Sequence, residues 1–441
     1  LPARGSARAA ANAAGGLGRR AETCAGRRAQ LGVSLRGRPH VLLVAPQQRD
    51  LDAVARLGLE RRFRISTLGV DLDLEQEIEP EPMLERALRL RPDGVVGTKD
   101  RSALLAAIVA ERLGLPGPSP AALLACQHKP TSRRHQQRLL PAATPAFALA
   151  DGQPPFPFPF FVKPTVGRLS QAARRVDDLA AFRALEPPPD GYAHGVARLA
   201  RLAGEHLDGL DALLAEELVE GRELTLEGFV RRGRVSVIGA TDSVHYPQTR
   251  SFERFEYPSA LTAPELTRLE RMTEQLVRAH GLDDAFFNLE LALPRLSPPE
   301  SAVDGVRIIE LNARLASQFA RLLELCHGRS SYEALFALAC GDDPAWDVRS
   351  APRGVAVSHV LRAFSDAVVE AIPEPEPDLE LLVRPGLPLS RQGPNDVASF
   401  RLAIFSEWGE TREQAIERCG RRAARLLEGF RLRPLRSRRA S

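Results

Sequence analysis

Lysine is almost missing from this chain. Lys99, Lys129 and Lys163 are its only three, against 57 arginines. Arginine is therefore the default cation of the solvated faces, and a position that keeps a compact ammonium group stands out against that background. Cysteine is also sparse: five residues, odd in number and without a C-x-x-C pair, which excludes a disulfide framework and a thiolate zinc site. Aromatic residues make up 5% of the chain, too few to suggest a platform for stacked bases. No apolar run approaches the roughly 18 residues of a membrane-spanning helix. The nucleophile elbow G-x-S-x-G, the zinc motif H-E-x-x-H and the phosphate loop G-x-x-x-x-G-K-[ST] are all absent, so serine hydrolase, zinc protease and Walker-type readings have no support.

What is present is a chain of 441 residues, 44% hydrophobic and 26% charged, long enough for several packed units. Its net charge of +4 is concentrated at the ends. Residues 1–38 hold eight arginines against one glutamate, and residues 429–441 hold five arginines and no acid, leaving a body that is mildly acidic. An acidic body with basic ends does not make a duplex-binding surface, so no nucleic-acid partner and no membrane association are expected. The leader lacks the apolar stretch of a secretory signal and is expected to be a basic tail outside the fold, which makes the cytoplasm the expected location.

Apolar periodicity divides the remainder. "HVLLVAP", "FRISTLGV" and "DGVVGT" read as strands that alternate with helical segments, the pattern of a parallel sheet covered by helices. Residues 39–125 thus read as a Rossmann-like unit without the dinucleotide fingerprint. Residues 126–348 form a second region whose first part, 126–144, is a linker. Within it "ELTLEGFVRRGRVSVIGATDS" reads as a hairpin about Arg232-Gly233, and "AFFNLELALP" and "VRIIELNARL" as paired strands joined by the loop "RLSPPESAVDG". Residues 349–430 form a small C-terminal α/β unit, and 431–441 a second basic tail.

The chemistry centres on the paired strands. Positions i and i+2 of a strand share a face, so Glu310 and Asn312 point together while Leu311 points to a core. Glu290 on the neighbouring strand can join them. Two carboxylates and an amide oxygen suit a hard cation such as Mg²⁺. Lys163 ends the apolar run "FFVKP", and with Lys129 it is suited to single-point contact with a phosphate oxygen.

The order of these segments resembles the ATP-grasp superfamily, in particular its carboxylate–amine ligases, over roughly residues 40–430 and most specifically between Lys129 and Arg314. The resemblance implies an α/β (α+β grasp) fold: a Rossmann-like N-terminal domain, the ATP-grasp fold and a small C-terminal unit. It implies ATP and Mg²⁺ (or Mn²⁺) as cofactors, with Lys129 and Lys163 on the phosphates, the main chain around Glu217 to Val219 on adenine, Glu216 near the adenine amino group and Glu223 on the ribose. Glu290, Glu310 and Asn312 match the family's metal ligands, and Arg314 its catalytic arginine, with Lys163 the second catalytic cation. The family's phosphate-covering loop, which closes with Ser-x-Gly-Val, reads "TVGRLSQAARRV" here. Gly167 and Ser170 fit it, but Ala172 and Ala173 replace the Gly and Val, which restricts the loop wherever φ must be positive. Phe252, Arg254 and Glu256 fall where such ligases place substrate-facing loops and receive no role. The implied activity is activation of a carboxylate as an acyl phosphate and its transfer to an amine, both small molecules, and a homo-oligomer is compatible with it. The alternatives are a non-catalytic nucleotide-binding protein with a degenerate loop and a biotin-carboxylase-like enzyme.

Overall fold

The computed structural model describes residues 37–69, 79–167, 172–188, 190–293, 305–392 and 399–435. Residues 1–36 of the leader, the loop residues 294–304 and Ser170 lie outside them.

The N-terminal strands β1 (His40–Val44), β2 (Arg64–Leu68) and β3 (Gly94–Val96) form a parallel sheet in the order β2-β1-β3. Helices α1 (Gln48–Arg56), α2 (Pro80–Leu90) and α3 (Asp100–Leu113) connect and cover them. A sheet buried on both faces calls for continuous apolar strands, and β1, HVLLV, is buried at every position. Two short helices follow, α4 (Pro120–Gln127) and α5 (Lys129–Leu139).

A four-stranded sheet of order β4-β7-β5-β6 comes next: β4 (Phe147–Leu149), β5 (Phe160–Pro164), β6 (Arg174–Val176) and β7 (Leu213–Glu217). The Pro-interleaved phenylalanines have a use here, because Phe156, Phe158 and Phe182 pack around the fully buried ring of Phe160. Between β6 and β7 lie α6 (Leu179–Arg183) and α7 (Asp190–Leu202).

The large sheet has eight strands in the order β12-β11-β8-β9-β10-β13-β16-β15. Its grasp half is built from β8 (Arg222–Arg231), β9 (Arg234–His245), β10 (Phe252–Tyr257), β11 (Ala285–Leu293) and β12 (Arg307–Asn312). The β8–β9 turn holds Arg232 at φ 49° and Gly233 at φ 73°, both left-handed as a tight two-residue hairpin requires. Helix α8 (Ala263–Ala279) starts in a capping box, with Glu265 accepting from the Thr262 backbone N–H at 2.7 Å, and presents Leu269, Leu276 and Val277 to the sheet. Leu224, Leu226, Leu289 and Leu291 meet it from the strands, all buried. This alternation leaves the opposite face of β8 and β11 to polar residues.

Helices α9 (Ala320–His327) and α10 (Ser331–Ala339) lead into the C-terminal strands β13 (Val355–Ala363), β14 (Ala367–Ala371), β15 (Leu379–Leu381) and β16 (Phe400–Gly409), followed by α11 (Arg412–Glu428). Strands β13, β16 and β15 do not make a sheet of their own but extend the grasp sheet beyond β10. Two sequence assignments change. "SFERFEYP" is the strand β10 rather than a loop, with Phe255 and Tyr257 buried on one side of its alternation. Arg431–Pro434, placed in the basic tail by its charge, is β17 and pairs antiparallel with β14. Its arginines are paid for by position, Arg433 meeting Glu370 at 2.8 Å on the exposed side.

Candidate functional site

The site lies where the edge of the large sheet meets the small sheet. Antiparallel register sets Glu290 of β11 opposite Glu310 of β12, and Asn288 opposite Asn312. The i, i+2 spacing puts all four side chains on one face. Asn312 Nδ2 donates to Glu290 Oε1 at 3.0 Å and to Asn288 Oδ1 at 3.1 Å. Burial, with the facing carboxylates of Glu310 and Glu223, pushes the Glu290 carboxyl up to about 7, and Arg314 and the Asn312 amide offset only part of this.

Lys129 starts α5, where its backbone N–H donates to Thr165 O at 2.9 Å. Its Nζ lies 3.3 Å from Glu310 Oε1 and donates to the Gly167 carbonyl at 3.1 Å. One ammonium thus ties the loop after β5 to the edge of the large sheet. Lys163, inward on β5, meets Glu216 Oε2 at 2.8 Å. Glu216 also accepts from Arg133 Nε at 2.7 Å, and Arg133 Nη2 reaches the Ile309 carbonyl of β12 at 2.8 Å. Burial raises the Glu216 carboxyl, but Lys163 and Arg133 overcome it and hold the group down to about 2. Its charge is committed to these two cations.

Arg314, just past β12, donates from Nε to Asp100 Oδ1 at 2.7 Å. Asp100 opens α3 of the N-terminal sheet, directly after Lys99, so the third lysine lies at the edge of the same region. Asp100, Gln127, Gly167, Glu310 and Asn312 line one cleft.

Lys129, Lys163, Glu290, Glu310, Asn312 and Arg314 therefore come together, with Gly167 at the rim. Glu223 stands at the start of β8 with His245 Nε2 3.7 Å from its Oε2, and burial raises its carboxyl despite Arg250 nearby. Glu217 is exposed and Val219 half-buried in the turn after β7. The Glu217 backbone N–H donates to Ala146 O at 2.8 Å. Ala172, where the related loops hold glycine, takes the left-handed φ of 55°. At that φ the Ala172 Cβ costs about 1–2 kcal/mol.

Sequence reasoning missed Asp100, Arg133, Asn288 and Glu227. Asn288 and Glu227 carried a signal, as polar residues at period 2 with Glu290 and Glu223. Asp100 follows a parallel strand at its carboxyl end, where such sheets place ligands. Arg133 had no signal among 57 arginines.

Among the described residues no group of three His, Cys, Asp or Glu forms a metal cluster. The facing carboxylates of Glu290 and Glu310 and the side-chain amide of Asn312 offer oxygen donors on one face. All-oxygen donors of this kind fit Mg²⁺. No helix among the described residues is long and apolar enough to cross a membrane.

No family model matches the chain. Carnosine synthase 1 of Gallus gallus is 30% identical over 306 residues, which cover 63% of this chain and 30% of that protein. Carnosine synthase 1 of Homo sapiens is 28% identical over 302 residues, covering 62% and 33%. The chain thus spans about a third of the length of these relatives. An L-amino acid ligase from Bacillus licheniformis superposes with a TM-score of 0.64 at 16% identity, covering 91% of this chain and all of that one. The biotin carboxylase domain of Hydrogenobacter thermophilus 2-oxoglutarate carboxylase, in complex with MgADP and bicarbonate, superposes with a TM-score of 0.63 at 14% identity, covering 90% and 91%.

Proposed function

We propose that this chain, whose fold is that of the ATP-grasp ligases, is an ATP- and Mg²⁺-dependent carboxylate–amine ligase that activates a small carboxylate as an acyl phosphate and joins it to an amine. The observation that carries the reading is the Lys129–Glu310 contact at 3.3 Å, which brings the phosphate-type lysine at the start of α5 onto the carboxylate pair of the large sheet. The likeness to carnosine synthases supports the ligase over the carboxylase, and the names of these relatives and of the L-amino acid ligase make amino acids the first substrates to try.

In this reading Glu290, Glu310 and Asn312 hold Mg²⁺, which when bound supplies positive charge to the phosphates of ATP. Lys129 and Lys163 bind phosphate oxygens, and the Glu216 carboxylate opposes the burial that pushes the Lys163 ammonium down. Glu217, Val219 and Glu223 face the nucleoside. Arg314, aimed by Asp100, orients the activated acyl group, and Gly167 stands at the rim of the cleft. The test is ADP release by the purified chain with ATP, Mg²⁺ and the twenty amino acids offered in pairs. Release that requires both an acid and an amine supports the reading. ATP binding with no pair turned over would overturn it.

The titrations give this reading a pH signature. Glu290 titrates near 7 in the folded chain and Glu227 near 8, both above their ordinary range. Their contribution to stability is full below about pH 4.5 and is lost as pH rises through 7 and 8. Buried His128, His280 and His359, each depressed by burial to about 4, act the other way, and their contribution is present above about pH 6.5 and lost as pH falls through 4. Between about pH 6.5 and 8, where the histidine contribution is already complete, the metal-free chain therefore loses melting temperature as pH rises, and it levels off above that. Added Mg²⁺ is expected to raise that temperature more at pH 8.5 than at pH 6, as read by differential scanning calorimetry. An equal increment at both would sink the metal assignment of Glu290.

A further inference from the structure

Polar residues of β8 continue past the carboxylate pair into the interior. Glu223, Thr225 and Glu227 alternate along one face of the strand. Glu227 pairs in register with Asn288, and Thr225 pairs with both Glu290 and Thr241. Glu227 is 1% exposed and Thr241 is fully buried. Glu227 Oε1 accepts a hydrogen bond from Asn288 Nδ2. Its other oxygen, Oε2, and the Thr241 hydroxyl meet no hydrogen-bond partner among the described residues. A buried carboxylate oxygen and a buried hydroxyl, both unpaired and on adjoining strands, are costly unless a ligand joins them. Arg314, whose charge acts on Glu227, has its Nε bound to Asp100.

Resting on the ligase reading, we infer that Glu227, with Thr241 and Asn288, is the seat of the ammonium group of the amine substrate. Three features select this ligand class. The open acceptors are a carboxylate oxygen and a hydroxyl, which suit the N–H donors of a primary ammonium. A divalent ion needs about six oxygen ligands, more than Glu227, Asn288 and Thr241 bring together. The position also suits the reaction. Glu227, Asn288, Asn312 and Glu290 form a continuous hydrogen-bonded chain, and Asn312 lines the cleft. Diagonal neighbours on a sheet face stand about 7–8 Å apart, so an amine held at Glu227 lies beside an acyl group activated over Glu290 and Glu310. The acid and the amine are then sorted by charge: Arg314 takes the carboxylate, and Glu227, whose burial favours the protonated carboxyl, accepts a proton from the ammonium, so that the free amine attacks the acyl carbon as phosphate leaves and carries off the second proton.

The test compares two nucleophiles at pH 7.5 with ATP and Mg²⁺. Amino acids carry an ammonium, whereas hydroxylamine is small and uncharged near neutral pH and reports acyl-phosphate formation as hydroxamate. In Glu227→Gln the ratio of amide to hydroxamate formation is expected to fall about thirty-fold or more, with KM for the amino-acid amine raised and KM for ATP unmoved. Thr241→Val, which removes a neutral acceptor and keeps the side-chain shape, is expected to lower the same ratio about five-fold, and it carries the test if Glu227→Gln fails to fold. An unchanged ratio in the folded variants overturns the ammonium seat, as does a wild-type chain that forms hydroxamate but no amide with any amino acid. Failure of the ligase reading looks different: the wild-type chain then forms no hydroxamate with any carboxylate offered.

Discussion

Replacing Glu216 by alanine is expected to cost about 3–5 kcal/mol of folding stability, the penalty for stranding a buried charge without its partner. Here two charges are stranded. The Glu216 side chain is 5% exposed and takes Lys163 at 2.8 Å and Arg133 at 2.7 Å, both themselves buried. Arg133 also carries the Ile309 carbonyl, so the same loss loosens α5 from β12. Against a typical stability of about 5–15 kcal/mol this is a large fraction. Urea unfolding of the variant at neutral pH checks it. A midpoint within about 1 kcal/mol of wild type would mean that water reaches the site and the triad is solvated. Adding Lys163→Met to the Glu216→Ala background removes one stranded cation and is expected to recover part of the loss. Glu216 is then the counter-charge of a buried lysine as well as of Arg133.

The legible parts of this molecule are those written in short-range periodicity. The strands "HVLLV", "FFNLELAL" and "RIIELN" declare themselves by apolar run or alternation, and the position of Glu310 and Asn312 on one face follows from the pleat alone. Helix α7 was not legible, because "DGYAHGVARLARL" contains two glycines that speak against a helix. The structure gives Gly195 its reason: a Cβ there would fall 2.0 Å from a guanidinium nitrogen of Arg101, a buried arginine that stacks on Tyr192 with 4.7 Å between its guanidinium carbon and the ring centre. Partnerships between distant segments were equally closed to inspection. Nothing local in "KPTSRRHQQRL" singles out Arg133 from its neighbours, since its role depends on Glu216 arriving 83 residues later. Asp100, at the start of α3, and Arg314, just past β12, are 214 residues apart, and nothing local in either segment announces the other. Glu227 was open to a stricter reading: a glutamate inside "LTLEGFV" breaks an apolar stretch, and such a break needs a reason.

Replacing Arg314 by alanine is expected to lower turnover about 10²–10³-fold while leaving KM for ATP within a few-fold, the mark of a donor that acts on charge developed in the transition state. The geometry separates this residue from the ATP-binding cations. Its Nε is engaged by Asp100 at 2.7 Å, and the planar guanidinium has further N–H donors on its two terminal nitrogens. Its own burial is more than offset by Asp100, with Glu290 and Glu310 adding to the effect, so the group stays charged at every working pH. Lysine cannot replace it, because one ammonium cannot hold Asp100 and reach the acyl group with a fixed fork. Arg314→Lys is thus expected to fall near Arg314→Ala rather than near wild type. Asp100→Asn keeps the guanidinium but loosens its aim, and should cost about ten-fold in kcat. Added guanidinium ion discriminates the two roles. It is expected to restore part of the turnover of Arg314→Ala, where the donor is missing, and none in Asp100→Asn, where the donor is present and misdirected. A turnover within three-fold of wild type in Arg314→Ala would remove the arginine from the chemistry and leave it as a strut between the N-terminal sheet and β12.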